Sequence, residues 1–230
     1  MKRYGICVLF FLFLVNGIEK ETYGQNTFLP KVTVNEKVQR EKVADSLVKQ
    51  AKKYQDSGDL KRALLLFENC LNIYENIGKN QNVGDCLNNI GIIHFYKGDV
   101  SKALIFFKKG VVAYKNSGYK KGVSSLSNNI GGVYYYLGDY PKALEFYKQA
   151  VILQEELGDE ESASVTIQNI GSIYTKGNDY VNAMKYYNQA YLINKKLKDK
   201  KAISKSLNAI GFVYTKQGNY EKAYENLSQA

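Results

Sequence analysis

Two prolines, Pro30 and Pro141, are all that interrupt 230 residues, and tryptophan is absent. So little proline argues against a loop-rich β-sandwich and leaves room for long uninterrupted helices. Three cysteines and a single histidine do not suffice for a disulfide scaffold or a site with several zinc ligands. No Gly-rich phosphate loop, no His-Glu-x-x-His and no Cys/His cluster occurs. Gly131-Gly132 falls inside a helical pattern, not between strand and helix, and is no nucleotide fingerprint. Nothing is spaced for catalysis, so the chain reads as a non-enzyme that calls for no cofactor and no metal.

What is present is the usage of a folded soluble protein: 45% hydrophobic and 23% charged residues, with 20 tyrosines. The net charge of +10 is uneven, running +4 over residues 81–120, −3 over 121–160 and +3 over 161–200. Alternating sign is unlike the continuous basic footprint of a nucleic-acid binder, and fits solvated lysine-rich faces instead. Nucleic acid is therefore not an expected partner.

The chain opens with Met1-Lys2-Arg3 and then the apolar run Ile6-Cys7-Val8-Leu9-Phe10-Phe11-Leu12-Phe13-Leu14-Val15. Two cations before ten apolar residues match the first two regions of a secretory signal peptide. A hydrocarbon core of about 30 Å takes about 20 helical residues to span, so the run is short for an anchor. Residues 1–24 are read as a leader cleaved after Gly24, and 25–40 as a lead-in. The protein is expected on the periplasmic or extracellular side. It would meet a membrane only through an uncleaved leader or a further C-terminal segment.

From there the chain repeats every 40 residues. Asn88-Asn89-Ile90-Gly91 recurs as Asn128-Asn129-Ile130-Gly131, Gln168-Asn169-Ile170-Gly171 and Asn208-Ala209-Ile210-Gly211. His94, Tyr134, Tyr174 or Tyr214 follows each glycine, then Gly98-Asp99 or its equivalent, then Ala103, Ala143, Ala183 and Ala223. Phe107, Tyr147 and Tyr187 come four residues later, with Leu227 in that place in the last copy. A degenerate copy lies upstream at Ala51, Tyr54, Gly58-Asp59, Ala63 and Phe67. The copies divide the body at 41–80, 81–120, 121–160, 161–200 and 201–230. The last is shorter than its fellows, which suggests a truncated array.

Each copy reads as two helices. Leu87, Ile90, Gly91 and His94 share one face of the first, and Ala103, Phe107, Gly110, Val111 and Tyr114 one face of the second. Gly98 suits the left-handed residue that ends the first helix, and Asp99 is placed to cap the next. Gly91, Ala103, Gly110 and their equivalents let backbones approach, and the aromatics fill the space beside them. Such a pair cannot bury its apolar face alone, so neighbours must stack. The expected fold is an all-α solenoid, a right-handed superhelix of about five antiparallel helix pairs.

The pattern Ile130-Gly131-x-x-Tyr134…Gly138-Asp139-Tyr140-x-x-Ala143-x-x-x-Tyr147-x-x-Ala150 resembles the tetratricopeptide repeat, over about residues 41–230. At 40 residues it is similar to the longer variant of kinesin light chains and of bacterial extracytoplasmic sensor proteins. The tryptophan and the closing proline usual in the family are missing. Glycines at 78, 118 and 158 punctuate the junctions, and Lys198 breaks that habit.

The resemblance implies a scaffold that binds a protein or extended peptide along the face made by the first helices. The family's ligand-contacting asparagine position matches Asn89, Asn129 and Asn169, while Lys49 and Ala209 depart from it. A carboxamide both donates and accepts, as a peptide group requires. Asn88, Asn128, Gln168 and Asn208 are neighbouring amides; the competing reading gives all of them to packing and helix hydrogen bonds. Phe95 and Tyr96, then Tyr135 and Tyr136, then Thr175-Lys176 and Thr215-Lys216 grade the same face from aromatic to basic, with lysines favouring an acidic stretch of ligand. His94, alone of its type, is read as a packing residue. Cys70 and Cys86 are either a disulfide between neighbouring helices or two buried thiols. A second functional reading makes the array the sensor region of a longer membrane-bound signalling protein, whose output is a histidine kinase, a cyclase or a transcription regulator.

Overall fold

The computed structural model describes residues 33–230. The leader, its cleavage site and the first half of the lead-in fall outside these residues. Ten helices and no strand occur among the described residues. They form five consecutive antiparallel pairs: α1 (Val34–Asp56) with α2 (Leu60–Ile77), α3 (Asn80–Tyr96) with α4 (Val100–Asn116), α5 (Lys120–Tyr136) with α6 (Tyr140–Glu156), α7 (Glu160–Lys176) with α8 (Tyr180–Leu197), and α9 (Lys200–Lys216) with α10 (Tyr220–Ser228). The all-α solenoid of stacked pairs expected from the periodicity is the fold observed. Residues 34–40, read as lead-in, are helical; nothing between 31 and 57 is Pro or Gly, and Lys, Glu, Gln and Arg propagate a helix well.

The turn within each pair is short because a left-handed residue reverses the chain. Gly98 sits at φ +81°. There the Gly98 N–H donates to Phe95 O at 3.0 Å and the Asp99 N–H to His94 O at 2.9 Å. A side chain at such a φ costs roughly 1–2 kcal/mol, which glycine escapes. Asp59, Asp139, Asp159, Asp179, Asp199 and Asn219 then cap the following helix, each side chain accepting a backbone N–H three residues on.

Asp99 is the exception and corrects the expectation that it caps α4. Its side chain makes no capping bond; Asp99 Oδ2 lies 3.2 Å from His94 Nδ1 instead. An imidazole nitrogen stands where the other repeats carry a phenol ring, and it draws the carboxylate away from the helix end. His94 otherwise behaves as a packing residue. It is buried and stacks on Phe106 with centroids 5.2 Å apart, as Tyr134 stacks on Phe146 and Tyr174 on Tyr186.

Helix pairs close on small residues. A Cβ on Gly91 would come within 2.5 Å of the Phe107 ring, one on Gly131 within 2.6 Å of Tyr147, and one on Gly171 within 2.7 Å of Tyr187. Phe107, Tyr147 and Tyr187 are all at most 5% exposed, so each ring buries most of its area, of order 150–250 Å². The core runs on between repeats. Ala51, Ala63, Phe67, Ile90 and Ile93 tie α1 and α2 to α3, and Ala143, Tyr147, Ile170 and Ile173 tie α6 to α7. Burial therefore depends on the neighbouring pair, as the stacking argument requires. The first helices approach one another directly, α3 touching α5 and α5 touching α7, and they form one wall of the stack.

Candidate functional site

A 40-residue period in 17-residue helices sets equivalent side chains in rows across the wall, and two rows are amides. Asn129 Nδ2 donates to Asn88 Oδ1 at 2.9 Å, and Asn169 Nδ2 to Asn128 Oδ1 at 3.2 Å. Each bond crosses from one first helix to the next. Asn128 Oδ1 lies also 3.2 Å from the Thr166 hydroxyl, and Gln168 Nε2 donates to Ser206 Oγ at 3.1 Å. Asn89 has no preceding amide, since Val48 and Lys49 stand there, and its Nδ2 donates to Asp85 O at 2.8 Å. One row thus braces the other. Asn is a poor mid-helix residue because it competes for backbone bonds; cross-bracing is what holds Asn129 and Asn169 in one orientation. The Oδ1 atoms of Asn89, Asn129 and Asn169 make no hydrogen bond among the described residues.

Three hollows follow the wall. The first, about 610 Å³, is lined by Asp45, Lys49, Lys52, Asp85, Asn88 and Asn89 among others. The second, about 290 Å³, holds Ile92, Phe95, Tyr96, Asn128, Asn129 and Asn169. The third, about 430 Å³, holds Tyr135, Ser172, Thr175, Lys176, Phe212 and Lys216. Tyr96 and Tyr136 are 72% and 66% exposed, and Phe95 meets Tyr136 edge to face at 5.4 Å. Tyr135 is half-buried and leans on Tyr140; burial raises its phenol above the ordinary tyrosine range. Lys176 and Lys216 share the third hollow with Tyr135 and Phe212, while Lys49 and Lys52 border the first, so basic side chains stand at both ends of the wall rather than grading along it.

Several polar contacts between the wall and the second helices were not anticipated. Tyr74 donates its phenol proton to Asp45 Oδ1 at 2.6 Å, and Tyr114 to Asp85 Oδ1 at 2.7 Å. Burial first, then the neighbouring carboxylate, raises both phenols well above their usual range. Both pairs keep the 40-residue spacing, which is the signal that would have revealed them. The same place on α6 holds Gln154, 2% exposed, whose Oε1 has no partner among the described residues. A buried acceptor without a donor costs about 1–3 kcal/mol.

Cys70 and Cys86 are free and buried in one apolar cluster joining α2 and α3. Cys70 Sγ donates to Ala44 O at 3.5 Å, and the neighbouring Cys70 thiol, then burial, push the Cys86 thiol above the usual range. Among the described residues no group of three or more side chains is placed to hold a metal ion, and no helix is long and apolar enough to cross a membrane.

A family model described as the tetratricopeptide repeat matches residues 42–116 and again 122–196, and a second with the same description matches 204–230. No curated protein sequence matches the chain. Solved structures of similar fold include BtubC (BKLC) from P. vanneervenii, 18% identical with a TM-score of 0.76, over 85% of this chain and 81% of that one. The putative kinesin light chain with nearly identical repeats from Podospora anserina is 18% identical with a TM-score of 0.67, over 83% and 93%. The Rap conjugation gene regulator of plasmid pLS20, solved in complex with the Phr* peptide, is 13% identical with a TM-score of 0.67, over 91% of this chain and 58% of that one.

Proposed function

Because the chain belongs to the tetratricopeptide-repeat family, we propose that it is a non-catalytic binding module that takes an extended protein segment or peptide along the wall of α3, α5 and α7. The observation that carries this reading is the braced asparagine row. Asn129 and Asn169 are already oriented by bonds to Asn88 and Asn128, so little side-chain entropy remains to be lost when a ligand's peptide groups arrive. Their Oδ1 atoms and their second N–H hydrogens remain to serve it. Tyr96 and Tyr136 offer large stiff contact area beside the row. The pLS20 Rap regulator, of similar fold, holds a peptide, which supports the same use of this array.

The test begins with a random decapeptide display library selected on the folded chain. The selected binder is then titrated against the variant Asn89→Ala/Asn129→Ala/Asn169→Ala. Loss of three hydrogen bonds at about 0.5–1.5 kcal/mol each weakens binding about tenfold or more, while alanine, the better helix former, keeps the fold. Undiminished affinity with an unchanged melting temperature would falsify the asparagine row as the contact surface.

A further inference from the structure

One more hollow of the wall, about 340 Å³, opens between the first halves of α5 and α7 and is bordered by the end of α6. Lys121, Ser125, Gln154, Asp159, Glu161 and Ser162 are among its lining residues. Gln154 sets it apart. At the equivalent places Tyr74 and Tyr114 are bonded to carboxylates. Asn194 accepts from Ser164 Oγ at 2.5 Å and donates to Ser206 Oγ and Ala202 O. Gln154 is buried, yet its Oε1 is unpartnered among the described residues. The two side chains that would copy the Asn194 arrangement are turned elsewhere: Ser124 donates to Lys121 O at 2.9 Å, and the Thr166 hydroxyl lies between Ser162 O and Asn128 Oδ1. Buried acceptors are nearly always satisfied, so one that is not calls for an explanation.

The surroundings say what kind of donor. Lys121 is neutralised by Asp159 at 3.0 Å. Ser125 spends its proton on Lys121 O, and Asp159 Oδ1 accepts the Ser162 backbone N–H at 3.2 Å. Glu161 is exposed and forms no ion pair among the described residues. The buried side-chain atoms of the hollow left without a hydrogen bond among the described residues, Gln154 Oε1 and Asp159 Oδ2, are both acceptors, and the charge left uncompensated is the negative one of Glu161. A side chain rich in N–H groups and positively charged complements both.

We propose that this hollow is a subsite for one basic side chain, arginine or lysine, of the bound segment, with its N–H groups reaching Gln154 Oε1 and its charge meeting Glu161. The terminal torsion of a glutamine is broad and roughly two-fold, so the amide oxygen turns toward an arriving donor at small cost. Asn128 and Asn129 line both this hollow and the one holding Phe95 and Tyr96. The basic residue therefore sits beside an apolar or aromatic residue of the ligand. This inference rests on the reading that an extended segment lies along the wall.

The experiment uses the same decapeptide selection on the full chain, followed by titration of the best binder and of its analogue with norleucine at the enriched basic position. Against the unaltered chain the analogue binds about tenfold more weakly, about 1.4 kcal/mol. Against Glu161→Gln, an exposed substitution that leaves the fold intact, the difference shrinks to about twofold, and Gln154→Leu removes it as well where that variant folds. Selected peptides with no enriched basic position, or a norleucine penalty that Glu161→Gln leaves whole, overturn the subsite while the wall reading stands. A selection that yields no peptide overturns both.

Discussion

At the residue scale the spacing of helices is decided by two adjacent glycines with opposite roles. Gly131 faces Tyr147, and an added Cβ would stand 2.6 Å from the ring; on Gly132 the nearest atom is the Tyr147 hydroxyl at 3.6 Å, ordinary contact. Tyr147 is 3% exposed and has no room to retreat. Gly131→Ala is therefore expected to destabilise by about 1–3 kcal/mol through overpacking. Gly132→Ala is expected to stabilise by about 0.5–1 kcal/mol through helix propensity. Urea unfolding of both variants checks the pair, and equal effects would contradict the close-approach account. The small-residue role of Gly131 was legible from the repeat. The diversion of Asp99 to His94 was not, because it depends on where one ring nitrogen lies in space.

At the element scale the strain lies in the junctions. α8 ends on Lys198, at φ +57°, where α2 ends on Gly78 at φ +75°. A lysine in that region gives up roughly 1–2 kcal/mol against a glycine. Lys198→Gly should raise stability by about 1 kcal/mol, which for a chain of this size moves the melting temperature by about 2–4 °C. A fall on heating scans would show that the lysine side chain compensates through contacts of its own. The odd position was visible in the sequence as a break in the glycine habit at 78, 118 and 158. That the backbone nevertheless keeps the left-handed turn follows from the packing of α8 and α9 on either side.

For the whole molecule, a stack in which burial comes from neighbours has stability that varies along its length. α10 is nine residues long and buries only Ala223, while Tyr220 and Tyr224 are 71% and 76% exposed. α5 and α6 are packed on both sides, by α4 and by α7. Hydrogen exchange followed by mass spectrometry should find α9 and α10 exchanging first and α5 and α6 last. Uniform protection would mean that the ten helices unfold as one unit and that the nearest-neighbour picture fails.

The sequence alone determined the helix pairs, their 40-residue pitch, the stacking and the rows in which Asn89, Asn129, Asn169, Tyr135, Tyr136 and Lys176 stand. All of these follow from periodicity and from the sizes of side chains, which are local properties copied from repeat to repeat. Packing in three dimensions settles how the amides share their hydrogen bonds, that Asp45 and Asp85 receive buried phenols, and that Gln154 Oε1 has no donor among the described residues. The reason is geometric. A hydrogen bond depends on a few tenths of an ångström and on an angle between side chains 12 to 41 positions apart, and no spacing in a sequence carries that information.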